Sequence, residues 1–329
     1  MSSSPVKLGI LGTGNIANAF AEGLTHAANI ELVAVASRTQ AAAIAFAQKH
    51  DVAKKYSTYA DLAADPEIEL VYLATPHVRH RDDSVMCLQA GKGVLCEKPF
   101  SINAKEAKEV IDLARERNVF LMEAMWTRFL PSFVKLREML VNGVIGDVQL
   151  ILAGGAFQPD CDPDYYLLRP ELGGGVLLDA GVYPVSVASM VLGAPTQIKA
   201  CGTVGEHNVD DQDAILLQHD GGATAILYVS MKASASPDIT LLGSRGRIYV
   251  HAPMFAPAKI HLQVYGENVQ EFELPFEGNG YHYQAIAAAQ AIRNGDTESS
   301  VMPLEETLTI MQTLDCVRDQ VGMLYPMEK

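Results

Sequence analysis

The sequence predicts an α/β domain with a parallel sheet, followed by an α+β domain with a large, mostly antiparallel sheet. Three observations predict this: the length, the strand–helix alternation of the first 125 residues, and the glycine-punctuated β-rich segments of the remainder. At 329 residues the chain exceeds the size at which one hydrophobic core usually keeps growing, so two domains are expected. We place them at residues 1–125 and 126–329.

The first region alternates short apolar runs with helical patterns. The runs are continuously apolar, which is typical of parallel strands buried on both faces. They are Val6–Leu11, Glu31–Ala36, Leu70–Ala74, Val94–Cys96 and Val119–Glu123. The helical patterns between them are Ile16–His26, Thr39–His50, His80–Ala90 and Asn103–Arg117. Short connections in this alternation favour a parallel sheet with helices on both faces.

After about Trp126 this rhythm stops. Short β-rich segments separated by glycines favour an antiparallel or mixed sheet. The predicted strands are Gln149–Phe157, Ala214–His219, Thr224–Met231, Ile239–Leu242, Arg247–Val250 and Ile260–Tyr265. The predicted helices are Pro131–Val141, Val182–Leu192, Tyr281–Arg293 and Leu304–Val321. A loop rich in Pro, Asp and Tyr spans Gln158–Gly175.

The composition argues against several classes of partner. Lys plus Arg (25) minus Asp plus Glu (39) gives a net charge of −14, so we expect neither nucleic acid nor a membrane surface as a partner. The five cysteines form no C-x-x-C pair, which favours buried free thiols in a reducing compartment and no metal. The N-terminus lacks the apolar core of a signal peptide, and no stretch approaches the ~20 apolar residues of a membrane span. We therefore expect a cytoplasmic protein.

A glycine-rich turn joins the first strand to the first helix. Residues 12–17 form a G-x-G-x-x-A sequence, in which Gly12 permits a tight turn and Gly14 lets the backbone approach a pyrophosphate. The following helix N-terminus offers free N–H groups to phosphates. Between a strand and a helix the motif predicts the dinucleotide site of a Rossmann domain, and a tight turn without a ligand is the alternative. The expected contacts are Gly12, Thr13, Gly14, Asn15 and Ile16.

The end of the second strand predicts which dinucleotide is bound. NAD-selective sites usually carry an acid here, whereas this chain has Ser37, Arg38 and Thr39. A hydroxyl and a guanidinium bind a 2′-phosphate through charge-assisted hydrogen bonds, and a carboxylate would repel it. We therefore expect NADP. NAD remains the alternative if Arg38 is only a solvated residue at the start of a helix.

Three further segments carry a family resemblance. The third strand is followed by Leu-Ala-Thr-Pro (73–76) and His80, the fourth by Glu-Lys-Pro (97–99), and residues 173–183 read G-G-G-V-L-L-D-A-G-V-Y. In this order they resemble the Gfo/Idh/MocA oxidoreductases over essentially the whole chain. The 173–183 segment and M-E-A-M-W-T-R-F (122–129) look like the branch of dimeric dihydrodiol dehydrogenases and NADP-dependent D-xylose dehydrogenases. Tyr183 stands where inositol dehydrogenase relatives commonly carry His.

The resemblance implies an NADP-dependent dehydrogenase or reductase that acts on CH–OH groups. Its substrate would be a vicinal diol, an aldose or a related carbonyl, and the chain would form a homodimer through the sheet of the second domain. A reductase of another anhydro- or keto-sugar is the alternative within the same class. A non-catalytic NADP-binding regulatory protein is the alternative from a different class.

Two residues are candidates for the proton transfer that accompanies hydride transfer. Lys98, carried over from the family's E-K-P sequence, follows a parallel strand at the edge where ligands bind. Tyr183 is the second, because a neighbouring ammonium favours a phenolate. Asp179 lies four residues earlier on the same helical face and would orient Lys98 or bind a substrate hydroxyl. The prediction requires Lys98 and Tyr183 to lie on opposite sides of one small alcohol.

Each of these assignments has a plainer alternative. Lys98 would be an ordinary surface lysine, Tyr183 a half-buried core residue and Asp179 a helix N-cap. Trp126 either rims the substrate pocket or packs between the domains.

Further contacts to the cofactor and the substrate are expected, of which the resemblance implies that of Glu97. Glu97 is expected at the nicotinamide ribose, and His80 is expected to support the cofactor loop. The loop residues expected at the cofactor are Ala74, Thr75, Pro76, His80 and Lys98. The residues expected at the substrate are Trp126, Arg128, Phe157, Tyr166 and Arg169.

Overall fold

The computed structural model describes residues 4–159 and 165–329. The chain divides into two compact units. The first comprises Met1–Ser101, Lys105–Phe129 and Glu277–Thr307, and the second comprises Ile102–Ala104, Leu130–Phe276 and Leu308–Lys329. A single boundary after residue 125 therefore misses one feature: residues 277–307 return to the first unit, where their helix packs on the turn Trp126–Phe129.

In the described part of the chain, the first unit contains a six-stranded parallel sheet of order β3-β2-β1-β4-β5-β6. Its strands are β1 (Val6–Leu11), β2 (Ile30–Ala36), β3 (Lys54–Tyr56), β4 (Leu70–Leu73), β5 (Gly93–Glu97) and β6 (Leu121–Ala124). The strand order reverses at β1, and the carboxyl ends of the strands beside such a reversal are where open α/β sheets bind ligands.

The helices of this unit follow the predicted alternation. They are α1 (Asn15–Gly23), α2 (Gln40–His50), α3 (Tyr59–Ala64), α4 (His80–Gln89), most of α5 (Ala104–Arg117), and α8 (His282–Asn294). β4 and β5 are buried at every position, which explains why they are continuously apolar in sequence. β3 and α3 were not predicted, because a three-residue strand with two lysines has no apolar pattern.

Within the described ranges, the second unit is built on an eight-stranded sheet of order β14-β13-β12-β11-β7-β10-β9-β8. Its strands are β7 (Val148–Ala156), β8 (Gln197–Val204), β9 (Asp210–Gln218), β10 (Thr224–Ser230), β11 (Ala235–Gly243), β12 (Gly246–Val250), β13 (Lys259–Val264) and β14 (Gln270–Glu273). β7 and β10 are parallel and the other neighbours antiparallel. The α+β prediction is confirmed.

The other long helices are α6 (Pro131–Val141), α7 (Val182–Leu192) and α9 (Leu304–Val321). All three have the predicted bounds. α7 packs on β7 and β10, so one face of the sheet is covered. A π-helical segment, Leu177–Gly181, leads directly into α7.

Two further expectations concern membrane spans and cysteines, and the second needs correction. By length and composition, Pro170–Leu192 is apolar enough to cross a membrane, since an 18-residue stretch within it has a mean hydropathy of 1.6. However, 67% of that stretch is buried within the protein, as in a core helix. Of the described cysteines, all free, Cys87 and Cys96 are buried as expected, whereas Cys201 and Cys316 are exposed. Cys161 lies outside the described residues.

Candidate active site

The glycine turn after β1 has the geometry of a phosphate site. Gly12 has a φ of +103°, and a Cβ there would lie 2.5 Å from the carbonyl oxygen of Ala74, so only glycine fits. α1 begins at Asn15, and its N-cap Gly14 provides no side chain to bond the first N–H groups. A Cβ on Gly14 would have no described atom within 4 Å. The first turn of α1 is therefore open to an anion such as a pyrophosphate.

The end of β2 presents hydroxyls and positive charge. The Ser37 and Thr13 hydroxyl oxygens lie 3.2 Å apart, and Arg38 is exposed. The Thr39 hydroxyl accepts the Ala42 N–H at 3.3 Å and so caps α2, a role the sequence analysis did not assign. A 2′-phosphate fits this set of donors.

Tyr59 and Arg79 also lie at this end of the sheet, and the sequence analysis missed both. Burial, and to a smaller extent Asp83, raises the pKa of Tyr59, and the charges of Arg38 and Arg79 oppose that rise. The Arg79 guanidinium lies 5.7 Å from the centre of the Tyr59 ring and pairs with Asp83. The charges of Arg38 and Arg79 thus both act on Tyr59, so the fold brings a second guanidinium to this end of the sheet.

His80 connects the loop after β4 to the E-K-P loop. Its Nδ1 lies 2.8 Å from the Pro99 carbonyl oxygen and its Nε2 lies 2.9 Å from that of Thr75. Burial lowers the pKa of His80, and the two carbonyl oxygens oppose that change. Because the ring is fully buried, His80 holds the two loops together rather than facing solvent.

The E-K-P loop begins where β5 ends. Glu97 is the last residue of β5 and is 5% exposed, and Lys98 follows it, half-buried, before a cis bond to Pro99. One carboxylate oxygen of Glu97 accepts the Tyr72 hydroxyl at 2.5 Å, and the other accepts the Lys98 N–H at 3.3 Å. The lysine therefore stands at a carboxyl end of the parallel sheet on a backbone that Glu97 supports.

In the second unit, the 173–183 segment is held by an aspartate distant in sequence. The Asp210 carboxylate, at the start of β9, accepts the Leu177 N–H at 2.6 Å. Gly175 has a φ of +107°, and a Cβ there would collide with the same carboxylate. Asp210 thus caps the helical segment, whereas Asp179 lies inside it, so the alternative that Asp179 is the N-cap is wrong.

Asp210 forms a buried carboxyl pair with Asp213, three residues further along β9. Burial raises the pKa of both groups, that of Asp213 to about 6. Among the described residues, no donor reaches the second oxygen of Asp210 or either oxygen of Asp213. One proton shared by the two carboxyls satisfies this arrangement.

Asp179 and Tyr183 lie on adjoining turns of a helix that changes pitch. The π-helical segment ends at Gly181, three residues before Pro184, which has no N–H to donate to the preceding turn. Such π turns are frequent at functional sites. An Asp179 oxygen accepts the Tyr166 hydroxyl at 3.0 Å. The Tyr183 ring lies 5.9 Å from that of Phe255, which the sequence analysis missed because a loop residue carries no periodic pattern.

Comparisons with known proteins match both units. A sequence model described as "Oxidoreductase family, NAD-binding Rossmann fold" matches residues 6–125, and the model of the Gfo/Idh/MocA C-terminal domain matches residues 133–249. The chain belongs to the Gfo/Idh/MocA oxidoreductase family. It is a dehydrogenase of this family that acts on CH–OH groups of sugars or diols and binds NAD(P) on its Rossmann unit.

Two kinds of Gfo/Idh/MocA relative are informative. Trans-1,2-dihydrobenzene-1,2-diol dehydrogenases from Mus musculus and Homo sapiens are each 37% identical, with 98% of this chain and 99% of the relative covered. A 3-ketoreductase from Actinomadura kijaniata, solved with NADP and TDP-benzene, is 28% identical with a TM-score of 0.87, covering 97% and 98% of the two chains. Levoglucosan dehydrogenase, 17% identical over 97% of each chain with a TM-score of 0.89, shows the shared fold alone.

Two residues of this Gfo/Idh/MocA chain that were expected to bind the substrate are buried in the first unit. Arg128 is 1% exposed, and its guanidinium is bound by Glu306 at 2.7 Å and by the Val301 carbonyl at 3.4 Å. Its assignment to the substrate is therefore corrected to a structural ion pair. Trp126 is buried and stacks on Tyr281 with ring centres 4.3 Å apart, which favours core packing over a pocket rim.

The remaining candidates lie in the second unit. The Arg169 guanidinium donates to Glu171 at 2.7 Å and remains partly exposed. Phe157 is half-buried, and its N–H donates to the Ser230 carbonyl. Both stay substrate candidates, together with Tyr166.

Proposed function

We propose that this chain is an NADP-dependent oxidoreductase that interconverts a vicinal diol, or an aldose, and the corresponding carbonyl compound. The observation that carries the proposal is Lys98, which follows a carboxyl end of the parallel sheet in the unit that also holds the open N-terminus of α1. In such sheets the cofactor and the substrate meet at that edge. When bound, the nicotinamide supplies the hydride acceptor or donor.

Lys98 and Tyr183 divide the proton transfer in this proposal. Tyr183 exchanges the proton with the substrate oxygen, and the Lys98 ammonium stabilises the charge that develops there. Asp179 orients Lys98 or binds a second substrate hydroxyl. Variants of the 3-ketoreductase in which a lysine is replaced by alanine or glutamate, or a tyrosine by phenylalanine, are also among the similar structures, and these are the same residue types.

NADP is proposed over NAD because of the groups at the end of β2. Arg38 and the hydroxyls of Ser37 and Thr39 supply donors for a 2′-phosphate, and no carboxylate follows β2 at these positions. The 3-ketoreductase that is 28% identical to this chain was solved with NADP. NAD is the alternative, and a comparison of the two cofactors in one assay distinguishes them.

A vicinal diol or aldose is the substrate class we favour. The dihydrodiol dehydrogenases are the relatives at 37% identity. In the second unit, Tyr166 donates to Asp179, and Tyr183, four residues after Asp179, lies beside the ring of Phe255. Such aromatic rings pack against an apolar ring or a sugar face. A keto-sugar reductase is the second candidate, favoured by the likeness to the 3-ketoreductase.

An absorbance assay at the NADPH wavelength tests the proposal. The purified chain is given NADP⁺ or NAD⁺ with trans-dihydrobenzenediol, D-xylose and other aldoses, and NADPH with keto-sugars. We expect turnover of a diol or aldose, with a higher kcat/KM for NADP⁺ than for NAD⁺. Binding of NADPH without turnover of any alcohol or carbonyl would instead indicate a regulatory NADP-binding protein.

We also propose that two copies associate through the open face of the eight-stranded sheet. Register places Leu216, Ile226 and Leu152 side by side on adjacent strands, and all three are exposed, Ile226 by 46%. A contiguous apolar row of this kind marks an interaction surface. Sedimentation velocity should show a dimer that Ile226→Asp dissociates and that Val141→Asp, on 88%-exposed Val141 of α6, leaves intact. A wild-type monomer at micromolar concentration would contradict this proposal.

A further inference from the structure

Tyr72 is a polar residue in the most buried part of the first unit. It lies in β4, opposite Ile10 of β1 and Leu95 of β5, and its side chain is 0% exposed. Its neighbours in β4 are the apolar residues expected of a strand covered on both faces. Burying a hydroxyl is costly unless it is hydrogen-bonded, so the partner of this phenol is informative.

The partner is Glu97 of the E-K-P loop, and the roles of donor and acceptor are fixed. Burial, and then the nearby Glu97 charge, raises the pKa of Tyr72 well above 10, so the phenol keeps its proton. Tyr72 therefore donates, and the Glu97 carboxylate accepts at 2.5 Å. The other Glu97 oxygen accepts the Lys98 N–H. With both oxygens bound, the orientation of the carboxylate is determined.

The ring of Tyr72 is itself fixed by the phosphate-binding helix. Phe20 of α1 stacks on it with ring centres 3.6 Å apart and planes 11° from parallel. Phe20 is fully buried as well. Tyr72 therefore contacts both the helix that receives the pyrophosphate and the carboxylate expected at the nicotinamide ribose.

We propose that Tyr72 is a positioning residue for the cofactor: its hydroxyl orients the Glu97 carboxylate and thereby sets the affinity for the nicotinamide half of NADPH. The inference rests on the proposed function, in which Glu97 contacts the nicotinamide ribose. Tyr72 has no exposed surface, so it acts through Glu97 and not by touching the cofactor.

Tyr72→Phe tests the inference because it removes the hydroxyl and retains the ring stacked on Phe20. The dissociation constants of NADPH and of 2′,5′-ADP, which lacks the nicotinamide half, are measured by fluorescence and calorimetry. We expect NADPH to bind about tenfold more weakly, since a buried carboxylate loses its donor. Binding of 2′,5′-ADP is expected to stay within twofold. In a Glu97→Gln background, the same substitution should change NADPH binding by less than twofold.

Tyr56→Phe is the matched control. Tyr56 also lies in the parallel sheet, in β3 and away from the E-K-P loop. Its hydroxyl donates to the Asp65 carboxylate at 2.8 Å. We expect it to leave both dissociation constants unchanged. Thermal unfolding of every variant is recorded, so that a loss of stability is separated from a loss of affinity.

Several results would overturn the inference. They are an unchanged NADPH affinity in Tyr72→Phe, an equal loss for NADPH and 2′,5′-ADP, or the same loss in the wild-type and Glu97→Gln backgrounds. A lower melting temperature with normal NADPH binding would show a structural role only. Failure of the proposed function looks different: the wild-type chain would bind no NADPH, or would bind it and turn over no substrate in the panel.

Discussion

The candidate cofactor residues of the first unit and the candidate substrate residues of the second unit are stabilised in different ways. In the first unit, the E-K-P loop is held by Tyr72 of β4 and by His80, the first residue of α4, and the polar atoms of both side chains have partners. In the second unit, the segment that carries Tyr183 depends on Asp210, 33 residues from the N–H it caps, with a second carboxyl packed against it. The Tyr72 and His80 contacts are thus satisfied, whereas three of the four oxygens of the Asp210–Asp213 pair have no donor among the described residues.

The largest effects on kcat are expected for one residue in each unit. Lys98→Met and Tyr183→Phe should each lower kcat by about 10²–10⁴-fold, the range attributed to general acid–base catalysis. NADPH should bind both variants with wild-type affinity, since neither change touches the glycine turn. Steady-state kinetics and NADPH titration measure the two quantities.

Lys55→Met, at an exposed position of β3, is the control for loss of a lysine. Turnover near the wild-type rate in both Lys98→Met and Tyr183→Phe would refute the proposed division of the proton transfer. A loss in only one of them would assign the chemistry to a single unit.

Each unit also contains a buried carboxyl group that should make stability depend on pH. Burial raises the pKa of Glu123 to about 7, from 4.5, and that of Asp213 to about 6, from 3.8. The folded chain therefore holds these protons to higher pH than the unfolded chain. As pH rises from about 4 to about 7, each group should lower the free energy of unfolding by about 3 kcal/mol, with no further change above that range.

Denaturant unfolding at pH 5 and pH 8 measures this effect. Glu123→Gln should reduce the loss of stability between the two pH values, and Asp213→Asn should do the same in the second unit. Glu116→Gln, on the exposed face of α5, should keep the wild-type pH dependence. If Glu123→Gln and Glu116→Gln behave alike, the Glu123 carboxyl does not titrate in this range.

Arg38→Ala sharpens the cofactor side of the comparison. A lost charge-assisted hydrogen bond to the 2′-phosphate should weaken NADP binding about tenfold or more. NAD lacks that phosphate, so its dissociation constant should remain within twofold of the wild-type value. Arg81→Ala, an exposed arginine of α4 that pairs with Glu109, is the control. Equal losses for NADP and NAD would place Arg38 outside the 2′-phosphate site.

The distance along the chain between interacting residues explains what the sequence could predict. The glycine turn and the E-K-P loop were found because their chemistry depends on a few adjacent residues. Arg128 was assigned to the substrate because the partner that holds it in the interior, Glu306, lies 178 residues away. Asp210 was missed for the same reason, since an aspartate at the start of a strand gives no sign that it caps a helix in another part of the chain.

The smallest predicted effect separates two roles of Thr39. Its hydroxyl oxygen accepts an N–H of α2, so Thr39→Ala should lower the free energy of unfolding by about 1 kcal/mol. The hydroxyl proton remains available to donate to a 2′-phosphate, so the same change should weaken NADP binding a few-fold. Thr39→Ser should do neither. Thr58 caps α3 in the same way, and Thr58→Ala should reproduce the loss of stability without the loss of affinity. If both alanine variants bind NADP normally, Thr39 only caps α2.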